Sequence, residues 1–305
     1  PRGGKEAYRA EGIALVRSQN VLDFSFSSDG LAYINDEQAD KLRNVELQSG
    51  DVLLNITGDS VARACLMDDD YLPGRVNQHV AIIRVDESKA VNSYLLYYLQ
   101  WRKSHLLQLA SAGATRNALT KGMIEQLEID LPSLDEQRKV VGILGSIQNK
   151  IKLNHEINDN LEQQAATYFQ ELFINNANPV WQISTISDLG TVVGGSTPSK
   201  TKPEYYTNNG IAWITPKDLS INKSKFISHG ENDITELGLK NSSATVMPKG
   251  TVLFSSRAPI GYIAIASNEV TTNQGFKSVI PYSEIGTAFV YFFLKHSLPV
   301  IESAA

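Results

Sequence analysis

The sequence predicts an α+β protein in which two duplicated mixed α/β domains are joined by a long coiled-coil-like helix. Three observations support this fold class: an ordered internal duplication, strand-like segments followed by a helical run in each copy, and a heptad pattern between the copies. The predicted boundaries are residues 1–132 for the first domain, 133–175 for the helix and 176–305 for the second domain.

The duplication consists of short motifs that occur twice in the same order. The pairs are Gly12-Ile13-Ala14 with Gly210-Ile211-Ala212, Gly50-Asp51-Val52-Leu53 with Gly250-Thr251-Val252-Leu253, Asn77-Gln78 with Asn273-Gln274, and Tyr97-Tyr98-Leu99 with Phe292-Phe293-Leu294. The separation within each pair is that of a whole domain, far longer than a solenoid repeat. The pattern therefore indicates two copies of one domain.

Each copy contains strand signals followed by a helix signal. The segments GDVLLNIT and HVAIIRV in the first copy, and GTVLFSS and residues 263–266 in the second, are apolar, rich in β-branched residues and bounded by Gly, Pro, Asn or Asp. Asn92 and Ser93 are predicted to cap a helical run through Leu106, and Thr287 begins the matching run. Ser133 and Glu136 then have the spacing of a capping box, which predicts the start of another helix.

That helix has an apolar stripe at steps of three and four residues, the heptad pattern of a helix that pairs with another long helix. The stripe, called the seam below, consists of Leu144, Ile147, Ile151, Asn154, Asn158, Leu161, Ala165, Tyr168 and Leu172. Its two asparagines would fix register and partner at a cost in stability. The alternative is an ordinary amphipathic helix that lies on its own domain.

Composition limits the class of protein. The chain has 305 residues, 42% of them hydrophobic, which is enough for two ordinary cores. Its single cysteine excludes an internal disulfide and, with no zinc-like spacing or secretory signal, predicts a cytoplasmic protein without a metal site. The apolar run at residues 288–294 is too short to span a membrane. The opening PRGGKEAYR lacks a methionine, which suggests a fragment.

Charge is distributed unevenly. The net charge of −5 argues mildly against nucleic acid as a partner, but lysines outnumber acidic residues between Gly195 and Gly230. The stretch TVVGGSTPSKTKPEYY at residues 191–206 reads as a shaped loop because of its glycines, prolines and hydroxyl groups. Lys200 and Lys202 could reach phosphates from it, while Tyr205 and Tyr206 could stack on a base or anchor the loop. An ordinary surface loop is the alternative.

Several longer motifs occur together with this duplication. They are GGSTPS, GIAWITPKDL, KGTVLFSSR and TNQGF in the second copy, and LPSLDEQR before the long helix. Their order, in two copies joined by a helix, resembles the specificity subunit of type I restriction-modification enzymes over nearly the whole chain.

The resemblance implies a non-catalytic DNA reader. Two target-recognition domains would each read half of a split, asymmetric site in double-stranded DNA, and antiparallel helices would set the gap between the halves. The subunit would hold two modification subunits, which use S-adenosylmethionine to methylate adenine, and restriction subunits would complete the complex; no cofactor is expected in this chain.

The sequence departs from this pattern in two places. The first copy lacks an equivalent of residues 181–193, and the second stops before its own LPSLDEQ and second helix. If that helix were absent, the seam would lack an intramolecular partner and the chain could form a homodimer.

The predicted DNA-contacting residues are polar or basic side chains on loops, because arginine pairs with guanine, and asparagine or glutamine with adenine, in the major groove. They are Arg17, Gln19, Arg63, Arg75, Asn77 and Gln78 in the first copy, and Lys200, Lys202, Lys217, Arg257, Asn273, Gln274 and Lys277 in the second. Residues that differ between the two copies are the better candidates for base reading, because the two halves of an asymmetric site need different readers. Arg17 is an example, since it aligns with Thr215. The shared Asn-Gln pairs are expected to hold backbone geometry or phosphates.

Other classes fit less well. An adenine methyltransferase needs an active-site Pro-Pro pair, and the sequence has none. A magnesium nuclease could be argued from Asp70 and Glu87-Ser88-Lys89, but the spacing is common by chance and the second copy offers only Pro281-Tyr282-Ser283-Glu284 at that place. The five histidines share no local spacing that suggests a catalyst. The remaining alternative is a protein-protein interaction scaffold with two modules on a coiled-coil strut.

Overall fold

The computed structural model describes residues 8–111, 117–257 and 259–304. Residues 1–7, which carry most of the opening segment, lie outside this range. The chain divides into two compact units, Pro1–Glu156 and Ile157–Ala305, linked by one continuous helix. Mixed sheets and helices in both units confirm the predicted α+β class.

The described residues of the first unit form two three-stranded sheets and five helices, the last of which continues into the second unit. The strands are β1 (Ile13–Val16), β2 (Ala32–Ile34), β3 (Val52–Asn55), β4 (Ala64–Leu66), β5 (Gly74–Val76) and β6 (Val80–Ile83). The helices are α1 (Asp36–Lys41), α2 (Asn92–Trp101), α3 (Lys103–Ser111), α4 (Lys121–Glu125) and α5 (Leu134–Phe169).

The sheets of the first unit are ordered β2-β1-β5 and β4-β3-β6. Strand β1 is antiparallel to β2 and parallel to β5, whereas β3 is antiparallel to both of its neighbours. All four residues of β3 are buried, because one face packs with Leu95 and Leu99 of α2 and the other with Val16 and Val76. The central strands therefore hold the core together.

The second unit contains nine strands and three complete helices among its described residues. The strands are β7 (Gly190–Gly194), β8 (Tyr206–Thr207), β9 (Ile211–Ile214), β10 (Phe226–Ile227), β11 (Asn232–Ile234), β12 (Val252–Ser256), β13 (Ile260–Ala266), β14 (Thr271–Thr272) and β15 (Lys277–Pro281). The helices are α6 (Pro216–Ile221), α7 (Glu236–Lys240) and α8 (Thr287–Ser303).

Sheet topology confirms the duplication. Strand β9 lies between antiparallel β11 and parallel β14, as β1 lies between β2 and β5. Strand β12 lies between β13 and β15, as β3 lies between β4 and β6. The second unit adds β7, β8 and β10 at the edges of its two sheets. Of these, β7 lies largely in the segment for which the sequence shows no counterpart in the first copy.

The repeated Gly-Ile-Ala motif has a packing explanation. A β-carbon on Gly12 would lie 2.6 Å from the carbonyl oxygen of Ile34, and one on Gly210 would lie 2.6 Å from that of Ile234. Both carbonyls belong to the neighbouring antiparallel strand. Only glycine allows the chain to approach so closely at this point, which explains why both copies carry it.

The start of α2 differs from the sequence prediction. The expected cap by Asn92 and Ser93 is wrong, because Val91 is the N-cap residue and Asn92 is the first residue of the helix. The Val91 amide donates instead to the side chain of Gln137, 2.9 Å away at the start of α5. The helical run also ends at Trp101, and α3 begins as a separate helix at Lys103.

The long helix agrees with its sequence signals. Ser133 and Glu136 form the predicted capping box, in which the Ser133 amide and hydroxyl donate to the Glu136 carboxylate at 3.0 and 2.6 Å. These hydrogen bonds hold the pKa of Glu136 below its ordinary value. After Phe169 the chain continues as a π-helix from Gln170 to Asn175.

The seam residues are exposed along α5 except for Ala165, which is half-buried. No helix covers this stripe within the part of the chain that the structure describes, so the paired helix remains a prediction. On a neighbouring face, Phe169 is buried against α8 of the second unit. The helix therefore lies on its own domain at its end while its seam stays uncovered.

Candidate nucleic-acid interface

Each unit contains a polar cleft beside its central strands. The cleft of the first unit encloses about 480 Å³. Its walls are the segment after β1, the segment after β3 and the residue before β6. The lining residues are Ser18, Gln19, Thr57, Gly58, Asp59, Ser60, Arg63 and His79.

Hydrogen bonds hold the floor of the first cleft. The Thr57 hydroxyl lies 2.7 Å from Nδ1 of His79, and the Gln78 amide nitrogen lies 3.2 Å from Nε2 of the same ring. Both ring nitrogens of His79 therefore have partners, in line with the expectation of a satisfied histidine. Arg63 is half-buried in this cleft and Gln19 is exposed at its edge.

Arg17 lies beside the first cleft rather than in its lining. Its guanidinium donates to the Gly30 carbonyl at 2.6 Å and lies 5.5 Å from the centre of the Tyr8 ring. The Gln19 amide donates to the same carbonyl at 3.1 Å. These contacts restrain both side chains against the loop before β2, so a contact with DNA by either one would require a change of partner.

The cleft of the second unit is larger, at about 750 Å³. It lies at the ends of β9, β12 and β14 and includes part of the loop after β7. Its lining residues are Thr197, Lys200, Tyr206, Trp213, Thr215, Pro216, Lys217, Asp218, Glu231, Asn232, Arg257, Asn273, Gln274 and Gly275.

The tyrosines and the shaped loop of the second unit have structural contacts. The Tyr206 hydroxyl donates to the Pro198 carbonyl at 2.6 Å, and its ring packs edge-on against Trp213. The Trp213 indole donates to the Ser196 carbonyl at 3.0 Å. Tyr206 therefore anchors the loop that carries Lys200.

The basic residues in and beside the second cleft differ in their surroundings. Lys217 is 2.6 Å from the Glu231 carboxylate, and this hydrogen bond raises the pKa of the lysine. Lys202 is 3.8 Å from Glu204. Lys200 and Arg257 are exposed and have no acidic partner within 4.0 Å among the described residues. These two cations are therefore the most accessible positive charges in the cleft.

The two clefts occupy equivalent positions in the duplicated framework. The Asn77 amide donates to Val16 and the Asn273 amide donates to Ile214, both at 3.0 Å. In both copies the asparagine Oδ1 accepts a backbone N–H from the residue two positions later, at 3.0 and 2.9 Å. Both asparagines hold the turn between strands, whereas the following Gln78 and Gln274 are exposed.

The residue after the central strand is also equivalent in the two copies. The Arg17 amide donates to Asn20 at 3.0 Å, and the Thr215 amide donates to Asp218 at 2.7 Å. This match supports the alignment of Arg17 with Thr215. It also aligns Gln19 with Lys217, so the clefts share a backbone frame but differ in their side chains.

Six predicted contact residues do not line a cleft: Arg17, Arg75, Asn77, Gln78, Lys202 and Lys277. Arg75 is only 5% exposed; it is paired with Glu46 at 3.2 Å and donates to the carbonyls of Ala39 and Gly74. Its place in the parallel pair with β1 directs it into the protein, so we assign it a structural role. Lys277 is exposed at the start of β15 and lies beside Gly194.

Several cleft residues are not among those predicted from the sequence. Thr57, Asp59 and Ser60 in the first unit, and Thr197, Trp213 and Asn232 in the second, reach the clefts from separate strands and loops. Thr57 lies two residues after the end of β3, and it aligns with Arg257, a predicted contact residue that follows β12. This alignment is the signal that could have identified the first group.

Comparison with known proteins identifies the family. A sequence profile described as "Type I restriction modification DNA specificity domain" matches residues 20–163 and again residues 179–304. The chain belongs to the family of type I restriction-modification DNA specificity domains. The double match agrees with the duplicated topology and with the resemblance seen in the motifs.

Individual relatives of this family cover different parts of the chain. The MjaIX type I restriction enzyme specificity subunit of Methanocaldococcus jannaschii is 47% identical over 129 residues, which is 42% of this chain and 30% of that protein. A type I restriction enzyme specificity subunit of Escherichia coli is 26% identical over 216 residues, covering 68% of this chain and 52% of its own length. This chain thus spans about half or less of the length of these two relatives.

A solved structure supports the fold. The type I restriction-modification system S subunit from M. genitalium has a TM-score of 0.54 at 14% identity, over 99% of this chain and 74% of that one.

The described residues offer neither a metal cluster nor a membrane-spanning helix. Across the described ranges, no group of three or more His, Cys, Asp or Glu side chains is placed to hold a metal ion. In the same ranges, no helix is both long and apolar enough to cross a membrane.

Proposed function

We propose that this chain is a sequence-specific DNA-binding specificity subunit that reads a bipartite, asymmetric site in double-stranded DNA. One observation carries the proposal: two copies of a specificity-domain framework hold equivalent clefts whose lining side chains differ. Two different readers are what an asymmetric split site requires, because the same side chains would select the same base pairs in both halves.

In the first cleft, Arg63 and Gln19 supply donors for base edges, and Asp59 can accept from a cytosine amino group. In the second, Arg257 takes the base-reading role, while Lys200 contacts phosphate as a point charge. Asn77 and Asn273 preserve the turns that carry the exposed glutamines.

The subunit acts within a larger cytoplasmic complex. Two modification subunits supply S-adenosylmethionine and the methyl-transfer chemistry, restriction subunits supply translocation and cleavage, and this chain contributes no catalytic group. The exposed seam of α5 is suited to an antiparallel partner helix, because its apolar residues recur at heptad spacing. Whether that helix belongs to the same protein or to a second copy is decided by the mass of the assembled complex.

The test is to assemble the chain with its modification subunits and measure methylation across a library of split sites. Arg63→Ala should relax selection in one half-site, and Arg257→Ala should relax selection in the other, by about 1–3 kcal/mol of discrimination each. Lys121→Ala removes an exposed lysine of α4 outside both clefts and is the matched control, with unchanged selection.

Two outcomes would contradict the proposal. If either arginine variant relaxed both halves equally, the clefts would not be separate readers. If the unsubstituted complex assembled but showed no sequence preference, the alternative of a protein-protein interaction scaffold would replace it.

A further inference from the structure

A charged cluster connects the end of α5 to the second unit. The Glu162 carboxylate accepts from the Tyr291 hydroxyl at 2.9 Å and from Lys295 at 2.8 Å, both on α8. Its other oxygen lies 3.1 Å from Lys225, which precedes β10. Glu162, Lys225, Tyr291 and Lys295 are called the Glu162 cluster below.

The Glu162 cluster is partly buried and borders the core of the second unit. Lys225 lies 4.7 Å from the ring centres of both Tyr291 and Phe292, so its charge is stabilised by two aromatic faces as well as by the carboxylate. The Lys225 carbonyl accepts from the amide of Ile265 on β13 at 2.8 Å. The cluster therefore ties α5 to both α8 and the larger sheet.

The surrounding contacts are apolar and less directional. Ala165, Ala166 and Phe169 of α5 pack against Phe289 and neighbouring residues of α8. Apolar burial depends mainly on the area removed from water and tolerates small shifts, whereas a carboxylate with three donors fixes both rotation and axial position. The cluster is therefore the part of this contact that can specify one setting of the helix.

The first unit holds the other end of α5 through the hydrogen bonds of a buried glutamine. Gln137 is fully buried and accepts from the Val91 amide at 2.9 Å. Its own amide donates to the carbonyls of Lys89 at 3.0 Å and Pro132 at 2.9 Å. Each unit thus fixes α5 with one polar side chain that bonds to several groups.

We propose that Glu162 is a positioning residue that fixes the register of α5 on the second unit and thereby restricts the gap length accepted between the two half-sites. This inference rests on the proposed function, in which α5 acts as the spacer. This role is separate from those of the seam and the cleft residues, since Glu162 belongs to neither set.

The test uses the full chain assembled with its modification subunits, and it measures methylation of sites whose gap is the parental length or one base pair longer or shorter. Glu162→Gln retains the size of the side chain but removes the charge that holds two lysines. The ratio of methylation at the altered gaps to that at the parental gap should rise about tenfold, the change that about 1.4 kcal/mol produces. The bases selected in each half-site should stay the same.

Two further variants make the result specific. Glu156→Gln neutralises an exposed glutamate on the same helix, 3.9 Å from Lys152, and should leave the gap profile unchanged. Glu162→Asp retains the carboxylate on a shorter stem and should recover part of the gap selection. Lys295→Gln perturbs the more exposed side of the cluster and serves if Glu162→Gln fails to fold.

The outcomes separate the two proposals. A variant that binds all sites more weakly but retains the parental gap profile would show that the cluster only stabilises the fold, and would overturn this inference. Absence of any split-site preference in the unsubstituted complex would instead overturn the proposed function and, with it, the inference.

Discussion

Lengthening α5 should lengthen the gap in the recognised site. The insertion point is chosen from the structure: all residues from Ile151 to Asn160 are exposed, so the contacts of Gln137 and Glu162 remain intact on either side. Repeating residues 155–158 adds one step of four to the seam, occupied by a second copy of Asn158, and keeps the seam on one face of the helix. Any partner helix is extended by the same segment.

The rise and rotation of the two helices set the magnitude. Four residues add about 6 Å and a net turn of about 40° to an α-helix. Two base pairs add about 6.8 Å and a turn of about 70° to B-DNA. The second reader would therefore still face its groove, and the gap should lengthen by about one to two base pairs, the larger value applying if the α-helix runs parallel to the DNA.

A heptad insertion tests the same reasoning, because it lengthens α5 but rotates the second reader relative to the DNA groove. Seven residues add about 10.5 Å, close to three base pairs, but turn the helix by about −20°, whereas three base pairs turn the DNA by about 100°. The seam is preserved, yet the readers are rotated out of phase with the groove. We expect weaker methylation from the heptad variant than from the four-residue variant.

Sequencing of methylated adenines in cells that carry each complex measures the gap directly. The half-sites should be identical in the parental chain and both insertions. An unchanged gap in an active four-residue variant, or altered bases within a half-site, would show that α5 is not the spacer.

Three further predictions follow from single side chains. Arg75→Ala should destabilise the first unit by about 3 kcal/mol in urea unfolding, because it leaves Glu46 and two carbonyls without their buried partner. Arg63→Ala should change the stability by less than about 0.5 kcal/mol, because Arg63 faces a cleft. Equal losses of stability in the two variants would refute this distinction. Lys200→Ala should weaken binding to all DNA sequences and reduce the log-log salt slope by about one unit, and a loss confined to one base pair would instead identify a base contact. Partial burial raises the pKa of Glu162, but hydrogen bonds from Lys295, Lys225 and Tyr291 outweigh this and leave the pKa lowered. The cluster is therefore stabilising at neutral pH and loses that contribution as the pH falls through the ordinary range of a glutamate and below it. The difference in Tm between the parental chain and Glu162→Gln should close on acidification.

Much of the fold could be predicted from local sequence because the framework is repeated. The glycines of the Gly-Ile-Ala motifs face the same carbonyls in both copies, and the Asn-Gln motifs form the same turns. The Ser133 capping box was also predictable, because both of its partners lie within one helical turn. Such features depend on short-range geometry, which a single sequence displays.

The candidate site was less predictable because it depends on long-range register. Arg63 and Arg75 look alike in the sequence, yet one faces a cleft and the other lies in the core. The difference is decided by the parallel pairing of Leu15 with Arg75, which no local pattern reveals. Glu162 was missed for a related reason: it lies next to the seam residue Leu161, and its partners are more than sixty residues away in the chain.

If the proposed function is correct, the division between framework and lining explains how one fold reads different half-sites. Asn77 and Asn273 direct their side chains to backbone groups, so their substitution would disturb the turn whatever the DNA sequence. Gln19 and the equivalent Lys217 project from matching positions without holding the strands together, and can differ at little cost to stability. Under the proposed function, readout changes by substitution at the cleft while the strand pairing stays the same, and the length and attachment of α5 set the gap separately. A specificity domain built in this way can alter its half-sites and its spacing independently.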